Sequence, residues 1–337
     1  MKILGIETSC DETAAAVVEN GRRIISSLVS SQIDLHKKYY GVVPELASRK
    51  HLEIINPLIN ECLTNAQLTF NDIDAIAVVN RPGLVIALII GVSVAKSLAQ
   101  AAHLPLIAVN HLTAHLYAAH MTNTVKYPAI GLLVSGGHTL LMSVDKSFNI
   151  TVYGTTVDDA IGEAYDKIAK YFKLGYPGGP VIDRIAARFR GNPKSIMPFT
   201  PPNMKNKEQR RYCVSYSGLK TATTFYSKKH PEIPPGDMVA AFQYHAINMI
   251  YSKALLLARD LNIPRIIIAG GVAGNSYLRH LFNTNPDITA YFPPHELCTD
   301  NAAMVAGYGY VCAQKKEWAD MTLNAYARSS FSVRYTL

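Results

Sequence analysis

The chain has 337 residues, 49% of them hydrophobic and 17% charged, with a mean hydropathy of +0.08 and a net charge of +8. That composition excludes a disordered, collagenous or low-complexity chain and provides a core large enough to divide into two lobes. Glu7, Asp11 and Glu12 follow directly on a short apolar run at the N-terminus, which excludes a secretory signal peptide and sets the expected location as the cytoplasm.

Residues 3–6 read as a strand, 7–13 as a tight polar turn and 14–18 as a second strand. Residues 73–79 form a buried strand ending at Arg81-Pro82-Gly83. The apolar run 84–95 is 12 residues long before Lys96, short of the roughly 18 needed to cross a bilayer, so 84–102 is expected to be a buried helix. Residues 106–109 are another strand. The opening design then recurs: strand 130–134, turn Ser135-Gly136-Gly137-His138-Thr139 and strand 140–144. Two such hairpins about 130 residues apart suggest two similar lobes facing a shared cleft. Helices are expected over 158–172 and 238–261. A buried strand, 265–269, runs into Gly270-Gly271 and a helix from about Asn275, and 302–309 is Ala-rich and helical. Alternating strands and helices make the fold class α/β. Residues 194–207, flanked or interrupted by Pro193, Pro198, Pro201 and Pro202, read as an irregular excursion.

The positive charge is concentrated. Residues 184–230 contain eleven Lys/Arg and one acid, Glu208, so this segment carries more than the whole net excess. Phe199, Tyr212, Tyr216, Phe225 and Tyr226 are interleaved with those cations, as phosphate-backbone binding with base stacking requires. A solvated basic loop gives the same pattern. The five cysteines, Cys10, Cys62, Cys213, Cys298 and Cys312, are odd in number and lack a C-x-x-C pair, which fits reduced thiols.

His111 and His115 are four residues apart and share a helical face, where they could hold one metal ion. His120 points elsewhere. Leu112 follows His111, so the glutamate of an H-E-x-x-H metalloprotease is absent. The third ligand must come from afar; Asp300 is the best candidate, although an Asp ahead of a helix commonly serves as its N-cap. A His, His, Asp set suits zinc or ferrous iron. The Ser135–Thr139 turn offers backbone N–H groups to an anion. Gly270-Gly271-Val272-Ala273-Gly274-Asn275 offers a helix start to a nucleotide but is neither G-x-G-x-x-G nor a Walker loop. Asp159, Glu163 and Asp166 fall on one helical stripe, with Lys167 placed to neutralise Glu163.

Several blocks together resemble one family. They are Gly5-Ile6-Glu7-Thr8-Ser9-Cys10-Asp11-Glu12-Thr13, the run Gly41-Val42-Val43-Pro44-Glu45-Leu46-Ala47-Ser48-Arg49, the Ser135–Thr139 turn, and Asp158-Asp159-Ala160 with Gly162-Glu163-Ala164-Tyr165-Asp166-Lys167. Further along come Tyr176-Pro177-Gly178-Gly179-Pro180, Ser215-Tyr216-Ser217-Gly218-Leu219-Lys220-Thr221 and the 270–275 block. The family is the tRNA N6-adenosine threonylcarbamoyltransferases of the actin-like, sugar-kinase-like ATPase superfamily. The resemblance implies two lobes enclosing a nucleotide cleft, with residues 1–115 as the N-terminal lobe, completed by a C-terminal helix in 300–337. Residues 116–299 would form the second lobe, with a basic insertion around 184–230. It implies a divalent metal, iron or zinc, on His111, His115 and Asp300. Threonylcarbamoyl-adenylate or an ATP/AMP-type nucleotide would lie against Val134, Ser135, Gly136, Gly137, His138, Asp166, Gly179, Asp183 and Asn275.

The implied reaction moves threonylcarbamoyl from the adenylate to N6 of adenosine 37 in tRNAs reading codons that begin with A, the basic segment holding the anticodon arm. Glu12 or Asp11 is the candidate acceptor of the amine's proton. The implied partners are tRNA, a related paralogous subunit, a small P-loop ATPase and a separate enzyme that makes the adenylate. A non-catalytic partner subunit of the same complex, a sugar kinase or simple ATPase, and a metalloprotease are the competing readings. The sequence departs from the family pattern at Asn80-Arg81, where a glycine is usual before Pro-Gly, at Thr113 and Ala114 between the histidines, and at Gly274.

Overall fold

The computed structural model describes residues 1–202, 210–329 and 331–333. Lys205, Lys207 and Glu208 of the basic segment lie outside the described residues. The chain forms two compact units, Met1–Thr124 with the segment from Pro293, and Val125–Phe292 with the final strand. The division falls at 124 and 292, where the sequence reading sets 115 and 299.

In the first unit, strands β1 (Lys2–Glu7), β2 (Glu12–Glu19), β3 (Arg23–Ser31), β4 (Ala75–Arg81) and β5 (Leu106–Asn110) lie in the order β3-β2-β1-β4-β5. β1 pairs antiparallel with β2, Ile6 opposite Ala15, and parallel with β4. Both faces of the central strands are covered, and so they read as nearly continuous apolar runs. Helices α1 (Ile33–Lys37), α2 (Pro44–Ala66), α3 (Val85–Ala102) and α4 (His111–Ala118) belong to this unit. Ile55, Ile59 and Leu63 of α2 and Val92 and Ala95 of α3 join Leu4, Ile6, Ile76 and Val78 in one core.

Helix α3 is not buried all round, as the sequence suggested. Ala87, Leu88, Gly91, Val92, Ala95 and Ala99 are covered, while Val85, Ile86 and Ile89 are exposed. Its 18 residues, with a mean hydropathy of 1.8, meet the length and composition of a bilayer-crossing helix, yet it packs on α2 and β4. Arg81, bulky where a tight loop was expected, lies 4.5 Å from the ring of Tyr326. Asn80 is tied to the same C-terminal segment, donating to Asn324 O (3.0 Å) and accepting from Tyr326 N (2.9 Å).

The second unit repeats the plan. Strands β6 (Ala129–Val134), β7 (Thr139–Val144), β8 (Ile150–Thr155), β9 (Arg265–Ala269), β10 (Thr289–Tyr291) and β11 (Ser332–Val333) have the order β10-β9-β6-β7-β8-β11. Each unit is thus an antiparallel meander whose first strand takes a parallel partner, β4 in one and β9 in the other. The helices here are α5 (Ile161–Tyr171), α6 (Gly178–Ala186), α7 (Pro193–Ile196), α8 (Ser217–Lys229), α9 (Pro235–Asp260) and α10 (Ser276–Asn283). α5 starts later than expected because Asp158 is used elsewhere: its carboxylate accepts from the N–H groups of Tyr216 (2.8 Å) and Ser217 (3.3 Å) at the start of α8.

Helix α11 (Ala302–Gln314) returns to the first unit and packs on β1. The approach is close because residue 5 is glycine: a Cβ there would overlap Ala302 O and sit 2.7 Å from Ala306 N. Gly5→Ala therefore forces helix and strand apart, and the expected loss is about 1–3 kcal/mol of stability, read from urea unfolding.

Candidate metal centre

Asn110 closes β5 and caps α4, its Oδ1 accepting from Leu112 N at 2.9 Å. His111 and His115 then lie one turn apart on the inner face of α4, 7% and 1% exposed. Asp300 meets them from the other end of the sequence. Its expected alternative role, capping α11, is taken instead by Asn301, whose Oδ1 accepts from Met304 N at 2.9 Å. The Asp300 carboxylate is thereby left to the histidines.

His111 Nε2 and His115 Nε2 are 3.1 Å apart, and Asp300 Oδ1 lies 3.0 Å from the second and 3.5 Å from the first. Bonds of about 2.0–2.2 Å at tetrahedral or octahedral angles place neighbouring donors about 3–3.5 Å apart, so this set fits a small divalent ion. Glu7, at the end of β1 and fully buried, supplies the supporting layer. Its Oε2 is 2.8 Å from His111 Nδ1, and its Oε1 accepts from Ser9 N at 2.5 Å. This fixes the ring so that Nε2 faces Asp300 and His115. His120 stacks on Tyr117 instead, as its spacing implied.

Burial alone would lower His111, but the carboxylates of Asp300 and Glu7 hold it well above the usual histidine range. Burial and the neighbouring His111 keep His115 low. Despite burial, His111 and His115 hold Asp300 well below the carboxylate range. Burial, then the charges of Asp300, Asp11 and Glu7, push Glu12 up to about 10. The turn carrying Asp11 and Glu12 is pinned to α2 by His51, whose Nδ1 and Nε2 meet Thr13 Oγ1 at 2.8 Å and Cys10 O at 3.0 Å. None of the five cysteines is joined in a disulfide.

The second unit assembles the remaining candidates. Ser135 Oγ accepts from His138 N at 3.1 Å and closes the β6–β7 turn. An added side chain at Gly136, Gly137 or Gly179 would meet nothing within 4 Å. Gly270, at φ +90°, lies so close to Val134 O that no Cβ fits, which brings the 270–275 block against Ser135. Asp166 accepts from Gly178 N at 2.7 Å and fixes the start of α6 beside Gly179. Asp183 accepts from Ser276 N at 2.9 Å, while Asn275 caps α10 through Leu278 N at 2.9 Å.

The expected carboxylate stripe is not a helical face. Asp159 precedes α5 and is paired with Lys167 (2.8 Å) and Lys220, Glu163 is paired with Lys167, and Asp166 turns to α6. Part of the basic segment is neutralised internally, by the Lys220 pair and by Arg211 with Asp260 at 2.8 Å. Glu7, Ser9, His51 and Asn301 were not singled out from sequence. The first two stand inside a quoted motif, but only the contact between the end of β1 and the start of α4 shows which side chain meets His111.

A family model described as TsaD, tRNA N6-adenosine threonylcarbamoyltransferase, matches residues 23–307. The tRNA N6-adenosine threonylcarbamoyltransferase of Brachyspira hyodysenteriae is 48% identical over 332 residues, 97% of this chain and 96% of the relative. That of Bacillus subtilis is 46% identical over 323 residues, 94% and 91% of the two chains. Full-length HypF in its phosphate- and nucleotide-bound form is similar in fold, with a TM-score of 0.63 at 14% identity over 97% of this chain and 47% of HypF. The 2-hydroxyisocaproyl-CoA dehydratase activator of Clostridium difficile has a TM-score of 0.54 at 13% identity, over 95% of this chain and 99% of the activator. The architecture is the actin-like ATPase fold. By sequence the chain belongs to the tRNA N6-adenosine threonylcarbamoyltransferase family.

Proposed function

We propose that the chain moves the threonylcarbamoyl group of threonylcarbamoyl-adenylate to N6 of adenosine 37, in tRNAs that read codons beginning with A. The amine nitrogen bonds to the carbamoyl carbon, the anhydride C–O bond breaks, AMP leaves, and the amine's proton passes to a base. The observation that carries this reading, beside the family, is the convergence of His111 Nε2, His115 Nε2 and Asp300 Oδ1. Iron or zinc suits that donor set, and a bound ion supplies an anchor and Lewis acidity for the donor. The open backbone at Gly136 and Gly137 offers N–H groups to the phosphate, with Val134, His138, Asp166, Gly179, Asp183 and Asn275 around the nucleotide. Partners are the tRNA, held by the cations of the basic segment, a paralogous subunit and a small P-loop ATPase, all in the cytoplasm. Proteolysis is disfavoured because the residue after His111 is the buried Leu112.

Purified protein given threonylcarbamoyl-adenylate made from labelled threonine, unmodified tRNA and the partners is expected to place label on adenosine 37. His111→Ala/His115→Ala is expected to abolish transfer. Absence of label in the parent, beside an active control transferase, would sink the proposal. Glu7→Gln is expected to weaken metal binding about 10–100-fold, read by competition with a chromogenic chelator.

Glu12 or Asp11 is the proposed proton acceptor, Glu12 taking that role only in its ionised form. In the metal-free protein, Glu12 keeps its proton at neutral pH, its carboxyl being pushed up to about 10 from 4.5. The unfolded chain releases that proton above 4.5, so stability falls as pH rises through the window between the two values. Metal-free Glu12→Gln is therefore expected to melt at a higher temperature than the parent at pH 8, the gap closing towards pH 4.5. A gap independent of pH would contradict the raised carboxyl.

A further inference from the structure

Gln243 lies on α9, 3% exposed, and is bonded to two of the residues assigned above to the nucleotide. Its Nε2 donates to Asp183 Oδ1 at 3.1 Å, and its Oε1 accepts from Asn275 Nδ2 at 2.9 Å and from the Tyr165 hydroxyl at 3.4 Å. Asp183 also accepts from Ser276 Oγ at 2.8 Å on Oδ1 and from Ser276 N at 2.9 Å on Oδ2.

The directions of these bonds are forced. A carboxylate only accepts, so Gln243 must turn its amide nitrogen to Asp183 and its oxygen to Asn275. Asn275 must then present its nitrogen to Gln243, which leaves its own oxygen to cap α10 through Leu278 N. One carboxylate on α6 thus sets the orientation of two amides, on α9 and at the start of α10. The same glutamine lines a cavity of about 280 Å³ with Ala186, Phe189, Ala240, Tyr244, Tyr277 and His280.

We propose that Gln243 is a positioning residue of the nucleotide site, holding the Asp183 carboxylate and the Asn275 amide in the orientation that an adenine nucleotide meets. The proposal rests on the reading that Asp183 and Asn275 contact the nucleotide. Without the glutamine, the Asn275 nitrogen is left buried and unpaired, and only the bond from Leu278 N still orients its amide.

The test is equilibrium binding of AMP and ATP to the full chain by calorimetry, for the parent, Asp183→Ala, Gln243→Met and Gln243→Glu, with folding checked by circular dichroism. Gln243→Met is expected to bind about ten- to a hundredfold more weakly at every pH. Gln243→Glu sets one carboxylate against another near pH 8 and is expected to bind weakly there. Towards pH 5 its protonated form donates to Asp183 as the amide does, and its affinity is expected to approach the parent's.

The groups facing residue 243 are Asp183 from α6, Tyr165 from α5, and Tyr277 and His280 from α10. Burial, then Asp183, holds Tyr165 well above its usual range, so it stays neutral throughout. A packing role alone would leave the ratio of variant to parent affinity independent of pH. Parental affinity in folded Gln243→Glu at both pH values, with binding lost in Asp183→Ala, overturns the positioning role. Parental affinity in Asp183→Ala, or no binding by the parent, overturns the nucleotide assignment and the proposal with it. If Gln243→Met does not fold, the pH profile of the near-isosteric Gln243→Glu decides alone.

Discussion

Helix α11 can lie against strand β1 only where no side chain stands between them, and Gly5 provides that place with Ala302 and Ala306 opposite. The consequence reaches beyond packing. β1 ends in Glu7, and the residue two places ahead of α11 is Asp300, so seating the helix on the strand sets both carboxylates around the histidines of α4. The donor separations of 3.0, 3.1 and 3.5 Å depend on a contact made by backbone atoms. Backbone contacts of this kind are stiff, and cores transmit small displacements rather than absorb them.

The two units show how one strand plan serves two chemistries. In each, an antiparallel hairpin opens the sheet and its first strand takes a parallel neighbour. At the first hairpin the turn is acidic and bonded inward, through Glu7 to His111 and through His51 to Cys10 and Thr13. At the second, the turn is glycine-rich, with Gly136 and Gly137 exposed and Ser135 closing it. Similar strand plans with different tips are what a common scaffold with grafted sites looks like.

That difference also explains what was legible in the sequence. The hairpins, α3, α9 and the pairing of His111 with His115 follow from periodicities of two and 3.6, which are local properties. The third ligand was reachable only as a candidate, since Asp300 and Asn301 are equally good caps and choosing between them needs the structure. Asp159 misled because a helical stripe was drawn through a residue that precedes the helix. Asn275 stands in a quoted motif and Asp183 is implied by the family resemblance, but the bond that joins them runs through Gln243, 60 and 32 residues away. Long-range hydrogen bonds leave no period in the sequence.

The electrostatics of the first unit follow from confinement. Asp300, Asp11 and Glu7 act on Glu12 there, and Glu7 and Asp11 are buried. Unpaired carboxylates in such a place are costly. The carboxylates of Asp300 and Glu7 hold His111 well above the usual histidine range, with Nδ1 against Glu7 and Nε2 facing Asp300, and burial with the neighbouring charges pushes Glu12 up as well. A divalent ion held by His111, His115 and Asp300 would need the Nε2 lone pair of His111, so its binding would compete with a proton at that ring.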